Sequence, residues 1–141
     1  MSGFLLDTNC ISEVISPQPD QRVVDWLEAA NEQVLYLSVL TLGEIRRGVA
    51  LLAQSKRRTR LEAWLEVELQ ARFSGRILPI DAVVADRWGL LAAEAKRKGK
   101  PLAIIDGLLA ATALEHNLTV VSRNTSDFAN THVAILNPWK A

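Results

Sequence analysis

A single cysteine, Cys10, is the only thiol in the 141 residues, so no disulfide can form within the chain. That fits a reducing compartment. Net charge is absent as well, because 16 Lys and Arg balance 16 Asp and Glu. Free-standing nucleic-acid binders carry a clear positive excess, so the balance argues against tight, non-specific binding and leaves only local basic patches open. Long apolar runs are missing too. The opening MSGFLLDTN has an apolar stretch too short for a secretory leader, ended by Asp7. The charge-free stretch from Gln33 to Gly43 is too short to cross a bilayer. There is no internal repeat and no low-complexity linker. With 49% hydrophobic residues the chain can fill an ordinary core, and its length suits one domain over 1–141. The expectation is a soluble, cytoplasmic protein without membrane contact.

What is present alternates between short β-type runs and helical stretches. Phe4-Leu5-Leu6 reads as a first strand, followed by a helix from about Asn9 to Ile15 that Ser16-Pro17 stops. Asp20 is placed to cap the next helix, with Val23, Val24, Trp26 and Leu27 on one face. Val34 to Leu37 is strand-like, and Ser38 or Thr41 opens a helix through Glu44 to about Ala53. A long helical pattern from Arg58 to Phe73 ends at Ser74-Gly75. Ile77 to Ile80 is a strand, Asp81 a cap for a helix to about Lys98, and Ile104 to His116 a further helix with Asn117 closing it. Leu118 to Ser122 and Val133 to Leu136 are the last strands. The pattern predicts an α/β fold, with a mostly parallel central sheet covered by helices on both faces. Sites in such sheets form beyond the carboxyl ends of the strands.

Carboxylates gather at those ends. Asp7 follows the first strand, Glu44 lies in the helix after the second, and Asp127 lies shortly beyond the Leu118 run. Asp106 is the one charge in the apolar stretch Leu102 to Leu114. A buried carboxylate needs a partner, hydrogen bonds or a metal, and no Lys or Arg is within helical reach of Asp106. Capping is the simple alternative: Asp7 at the start of its helix, Asp106 as an N-cap with Gly107 behind it. Together, several acidic groups at one sheet edge repel one another, and a divalent cation with all-oxygen ligands relieves that. Mg²⁺, or Mn²⁺ in its place, held in this way activates water and steadies a leaving oxygen at a phosphodiester. Thr8, Ser122 and Asn124 are the neutral groups nearby.

The segments LLDTNCISE, LSVLTLGEIRRGV, GRILPID, IIDGLLAATALEHNLTVVSRNTSDF and NPW, in this order, resemble the PIN-domain family, and within it the VapC/FitB toxins of type II toxin–antitoxin pairs. The resemblance covers essentially the whole chain. It implies a PIN-like three-layer sandwich and an acidic pocket for Mg²⁺ or Mn²⁺. The family's first three carboxylates match Asp7, Glu44 and Asp106. Asp7 and Asp106 are then the main metal ligands, with Glu44 completing the site through water or by placing the nucleophile. Thr8 and Ser122 support the pocket. The fourth acidic position falls in SRNTSDF, where FitB-like members carry Asp and this chain has Asn124. Asp127 is the carboxylate that can substitute for it. Asp81 becomes a cap. The implied activity is metal-dependent endoribonuclease cleavage, in which a water activated on the metal attacks phosphorus in line and leaves a 5′-phosphate and a 3′-hydroxyl. His116 and His132 take no part in it.

Two basic clusters, Lys56-Arg57-Arg58 with Arg60 and Lys96-Arg97-Lys98 with Lys100, are either RNA contacts or solvated helix ends. Arg46, Arg47 and Arg123 are nearer the pocket and are candidate RNA contacts. Of the four tryptophans, Trp64 shares a helical face with Leu61, Leu65 and Leu69, read as core or as a partner surface. The resemblance further implies a homodimer, a cognate VapB/FitA-like antitoxin that places a basic side chain in the acidic pocket, and DNA contact only through that antitoxin. Two other readings stay open. One is a non-catalytic PIN-like binding module. The other is a different Mg²⁺-dependent phosphoesterase, although such enzymes pair two aspartates after the first strand and here Asp7 is followed by Thr8 and Asn9.

Overall fold

The computed structural model describes residues 3–140. Its centre is a parallel sheet of five strands: β1 (Gly3–Leu6), β2 (Leu35–Ser38), β3 (Ile77–Leu78), β4 (Leu118–Val121) and β5 (Ile135–Leu136), in the order β3-β2-β1-β4-β5. The chain builds outward from β1 to β3, then crosses to the other side of β1 for β4. The order therefore reverses between β1 and β4. At such a switch point the connections leave a crevice beyond the strand ends.

Alternation along each strand sends neighbouring side chains to opposite faces. Leu6, Leu35, Leu37 and Val121 belong to one core, Leu5 and Val120 to the other. The first core is covered by α1 (Thr8–Val14), α2 (Gln21–Ala29), α3 (Val39–Ala50) and α4 (Lys56–Ala63), which runs through a π-helical segment (Trp64–Leu69) into α5 (Gln70–Arg72). The second is covered by α6 (Ala82–Arg97) and α7 (Ile104–Glu115). This is the expected three-layer sandwich, and every strand pair in it is parallel. No helix among the described residues is long and apolar enough to cross a membrane.

The caps fall largely where the sequence places them. Asp20 accepts from Arg22 N, Ser38 from Leu40 N and Asp81 from Val84 N. Asn117 takes a positive φ of 55° just past α7, the conformation that asparagine tolerates at a helix end. Two expectations change. Leu65 and Leu69 are buried in the first core, with Leu61 and Trp64 packed against it. Of the two readings of that face, core packing holds for Leu65 and Leu69, while Leu61 and Trp64 stay partly exposed. The cluster Lys56 to Arg60 lies at the start of α4, so attraction to a helix C-terminus does not explain it. The cluster at Lys96 does occupy the last turn of α6.

Close packing between α6 and α7 sets the position of the latter. A Cβ on Gly107 would stand 2.9 Å from Trp88 Cδ1 and 3.0 Å from Nε1. Gly107→Ala therefore forces the helices apart. The expected loss is about 1–3 kcal/mol, read as a lower denaturant midpoint at unchanged slope.

Candidate active site

Asp7 is the first residue beyond β1, and its backbone N–H continues the ladder to Val121 O at 2.9 Å. It also caps α1: Oδ1 accepts from Thr8 N at 2.8 Å. Capping and a site role are thus not alternatives here. The other oxygen, Oδ2, accepts from Ser122 Oγ at 2.8 Å, across the β1–β4 switch point. Only 7% of the Asp7 surface is exposed. Burial pushes its carboxyl above the ordinary value. The hydrogen bonds from Ser122 and Thr8 oppose this, and the charges of Glu44 and Asp127 add to it.

Glu44 comes from α3, on the flank of the face that buries Thr41, Ile45 and Val49. Thr8 Oγ1 donates to its Oε1 at 2.5 Å. Asp106 comes from the opposite layer. The sequence allowed it to be the N-cap of its helix, but α7 starts at Ile104 and Ala103 is the N-cap, without a side-chain bond. Asp106 therefore lies in the first turn, half-buried, and makes no hydrogen bond that would account for it as a cap. Its carboxyl is pushed up to about 6, first by burial and then by the charges of Asp127, Asp7 and Glu44. Asp127 is exposed in the 3-10 turn Thr125–Phe128, and its charge reaches both Asp7 and Asp106.

Four carboxylates from both layers and two strand ends therefore act on one another at the crevice. None of them has a basic side chain within 4 Å among the described residues. Nor do any three acidic, His or Cys side chains there close on a point as a ready metal cage. The donor set is hard oxygen throughout, and Mg²⁺ is commonly held by one or two carboxylates while keeping several waters. An open acidic crevice fits that ion better than it fits a softer metal. Cys10 offers no ligand: burial pushes its thiol well up, and Sγ donates to Val121 O at 3.2 Å.

The remaining candidates separate. Asn124 is exposed, its side chain caps nothing, and its backbone N–H donates to Ser122 Oγ at 3.0 Å. Of the two residues that share the fourth acidic position, Asp127 is the one whose charge is felt in the crevice. Arg46 is paired with Glu66 at 2.9 Å, and the Arg123 guanidinium lies 5.8 Å from the ring centre of Trp139. Arg47 faces solvent. A groove of about 300 Å³ leads away from Glu44 between α1, α3 and α4, with Ser12, Ile15, Val49, Leu61 and Arg57 along it. Arg57 thus lines the same groove as Glu44. His116 is exposed, and His132 is exposed beside Glu94.

The PIN-domain family model matches residues 4–133. The chain belongs to the PIN-domain family. Among its curated PIN-domain relatives, toxin FitB of Neisseria gonorrhoeae is 47% identical over 136 residues, covering 96% of this chain and 98% of that protein. The VapC ribonuclease Y4jK of Sinorhizobium fredii is 40% identical, covering 97% and 98%. The crystal structure of FitAcB from Neisseria gonorrhoeae superposes with a TM-score of 0.94 at 46% identity, covering 98% of this chain and 99% of that one. Recognition of the family from DTN, GEIRRG, DGLLAATA and SRNTSDF thus holds over the whole PIN domain.

One site residue escaped the sequence reading. Asn9 donates from Nδ2 to Ser122 Oγ at 3.2 Å. Its place as the third residue of DTN was visible, but its partner is 113 residues away.

Proposed function

We propose that this chain is the toxin of a type II toxin–antitoxin pair and acts as a Mg²⁺- or Mn²⁺-dependent endoribonuclease. The observation that carries the reading is the crevice itself: Asp7, Glu44, Asp106 and Asp127 repel one another at the switch point, and among the described residues none of them is in a salt bridge. The names of the relatives, toxin FitB and VapC ribonuclease, point the same way. Asp7 and Asp106 would hold the metal, with Glu44 and Asp127 beside it. A divalent ion held there would supply positive charge for a phosphodiester and lower the pKa of a water. The chain's own residues do the rest. Thr8 fixes Glu44 through Oε1, which leaves Oε2 to take a proton from the nucleophile. Burial around Asp7 thins the water near the charges and strengthens their pull on the ion. Arg57 and the groove beyond Glu44 offer a track for the RNA backbone.

The same acidity suits a basic side chain from a VapB/FitA-like antitoxin, which would silence the pocket by occupying it. One structural neighbour is described as FitAB bound to a DNA fragment. For this chain we accordingly read DNA contact as indirect, through the antitoxin, and the active unit as a homodimer. The small-ester phosphoesterase reading loses its footing, since Asn9 stands where a second aspartate is needed and is engaged with Ser122.

Purified toxin free of antitoxin, given a structured RNA mixture, is expected to cut it in Mg²⁺ or Mn²⁺. EDTA should stop the reaction, and Asp106→Asn should not cut at all. Products should carry 5′-phosphates. Cyclic phosphates, or cutting that persists in EDTA, would overturn the metal reading. Silence in every condition would favour the binding-module alternative.

A further inference from the structure

The hydroxyl of Ser122 has three neighbours. Two of them, Asn9 Nδ2 at 3.2 Å and Asn124 N at 3.0 Å, can only donate, and the third is Asp7 Oδ2 at 2.8 Å. A serine hydroxyl has one proton and two lone pairs. Both lone pairs are therefore taken, and the proton has a single place to go, the Asp7 carboxylate. Ser122 is fully buried, so no water competes for it.

The orientation of the Asn9 amide is dictated in turn. Its Oδ1 faces the backbone N–H of Arg123 at 3.5 Å. Turning the amide over would set NH₂ against that N–H and the carbonyl oxygen against Ser122. A backbone N–H cannot reverse its polarity, so the NH₂ group faces Ser122. The result is a one-way chain of donors from Arg123 N through Asn9 and Ser122 to Asp7 Oδ2. Thr8 N donates separately to Asp7 Oδ1.

We infer that Asn9 is a positioning residue for the cation site: its amide fills one of the two acceptor positions of the buried Ser122 hydroxyl, holds that hydroxyl against Asp7 and, through it, sets the oxygen lone pairs that Asp7 turns to a divalent ion. Both polar ends of the Asn9 amide are engaged by Ser122 and Arg123 N, so it acts on Asp7 through the serine. The three residues of DTN then have three tasks, Asp7 as ligand, Thr8 as the clamp on Glu44, and Asn9 as the lock on Ser122. The hydroxyl of Ser122 is excluded as a metal ligand, because it has no lone pair left. This inference rests on the proposed metal site and adds a claim that can fail separately.

The test is a double-mutant cycle read as the Mn²⁺ dissociation constant by titration calorimetry on the purified protein, with thermal melts alongside. Asn9→Ala and Ser122→Ala should each weaken Mn²⁺ binding about tenfold, the usual scale for groups that orient a ligand. The double variant should be no weaker than Ser122→Ala alone, because Asn9 acts through that hydroxyl. Asn9→Leu, which keeps the volume without the donor, should behave as the alanine variant does and covers the case in which the latter melts early. Wild-type affinity in Asn9→Ala, or a double variant weakened about a hundredfold, would overturn the inference and leave the metal site standing. A wild-type protein that binds no Mn²⁺ would remove both.

Discussion

Asp7→Asn is expected to lower RNA cleavage by about 10²–10³-fold, the scale on which removal of one preorganised charge contact is felt in an active site. The change keeps size and shape but removes the charge that would face the cation. It also breaks the local hydrogen bonding. Both Asp7 oxygens accept, one from Thr8 N and one from Ser122 Oγ. An asparagine has one oxygen only. If that oxygen stays with Thr8, the NH₂ faces Ser122, whose hydroxyl then meets three donors and cannot place its own proton. The variant should therefore lose activity without the gain in stability that removing a buried, repelled charge would otherwise bring. Single-turnover cleavage together with a melt in EDTA separates the two effects. Near wild-type cleavage by this variant would remove Asp7 from the mechanism.

The second large effect is a divergence between stability and activity with pH, centred on Asp106. Its folded pKa is raised from 3.8 to about 6 by burial and by the charges of Asp127, Asp7 and Glu44. A raised carboxyl binds its proton more tightly in the folded state than in the unfolded one. Folding stability of the metal-free protein therefore falls as pH rises from about 4 to about 6, and levels off above. Asp106→Asn removes that decline. In EDTA it should match wild type near pH 4 and exceed it at pH 7. After discounting for solvent screening, the difference is about 1 kcal/mol, a rise of roughly 3–5 °C in Tm. Cleavage should run the other way. Wild-type activity should rise with pH as proton gives way to cation, with a midpoint that falls as Mg²⁺ is raised, and the variant is inactive throughout. Added Mg²⁺ should raise the wild-type Tm at pH 7 and leave that of Asp106→Asn almost unmoved. A variant less stable than wild type at pH 7 would mean that Asp106 is already partnered in the folded protein.

Much of this was legible because it is local. The strand runs, the caps at Asp20, Ser38 and Asp81, and the order of DTN, GEIRRG, DGLLAATA and SRNTSDF are all short-range patterns. Asp106 stood out as the single charge in an apolar helix. What escaped depends on distance or on small shifts of boundary. Asn9 meets Ser122 across 113 residues, and no spacing rule reaches that far. Asp106 was open to reading as a cap because aspartate followed by glycine is good cap chemistry, yet α7 begins at Ile104, as the helical pattern indicated, with Ala103 as an N-cap that has no side-chain bond. The Lys56 cluster looked like a helix end and is a helix start, since Ser55 caps α4 through Arg58 N at 3.1 Å. The π-helical segment from Trp64 to Leu69 has no sequence mark.

The pairing of β1 with β4 also has a bearing on biosynthesis. Asp7 is made more than a hundred residues ahead of Val121, which receives its N–H, and of Ser122, which donates to its carboxylate. At about 5–20 residues per second, the ribosome spends several seconds or more between the two. For most of that time β2 is available to pair with β1 and bring GEIRRG toward DTN, but the β4 side of the crevice is missing. Translation must run through Asp127 before all four carboxylates can gather, so any activity that depends on them cannot begin while the segment between Asp7 and Ser122 is still being made.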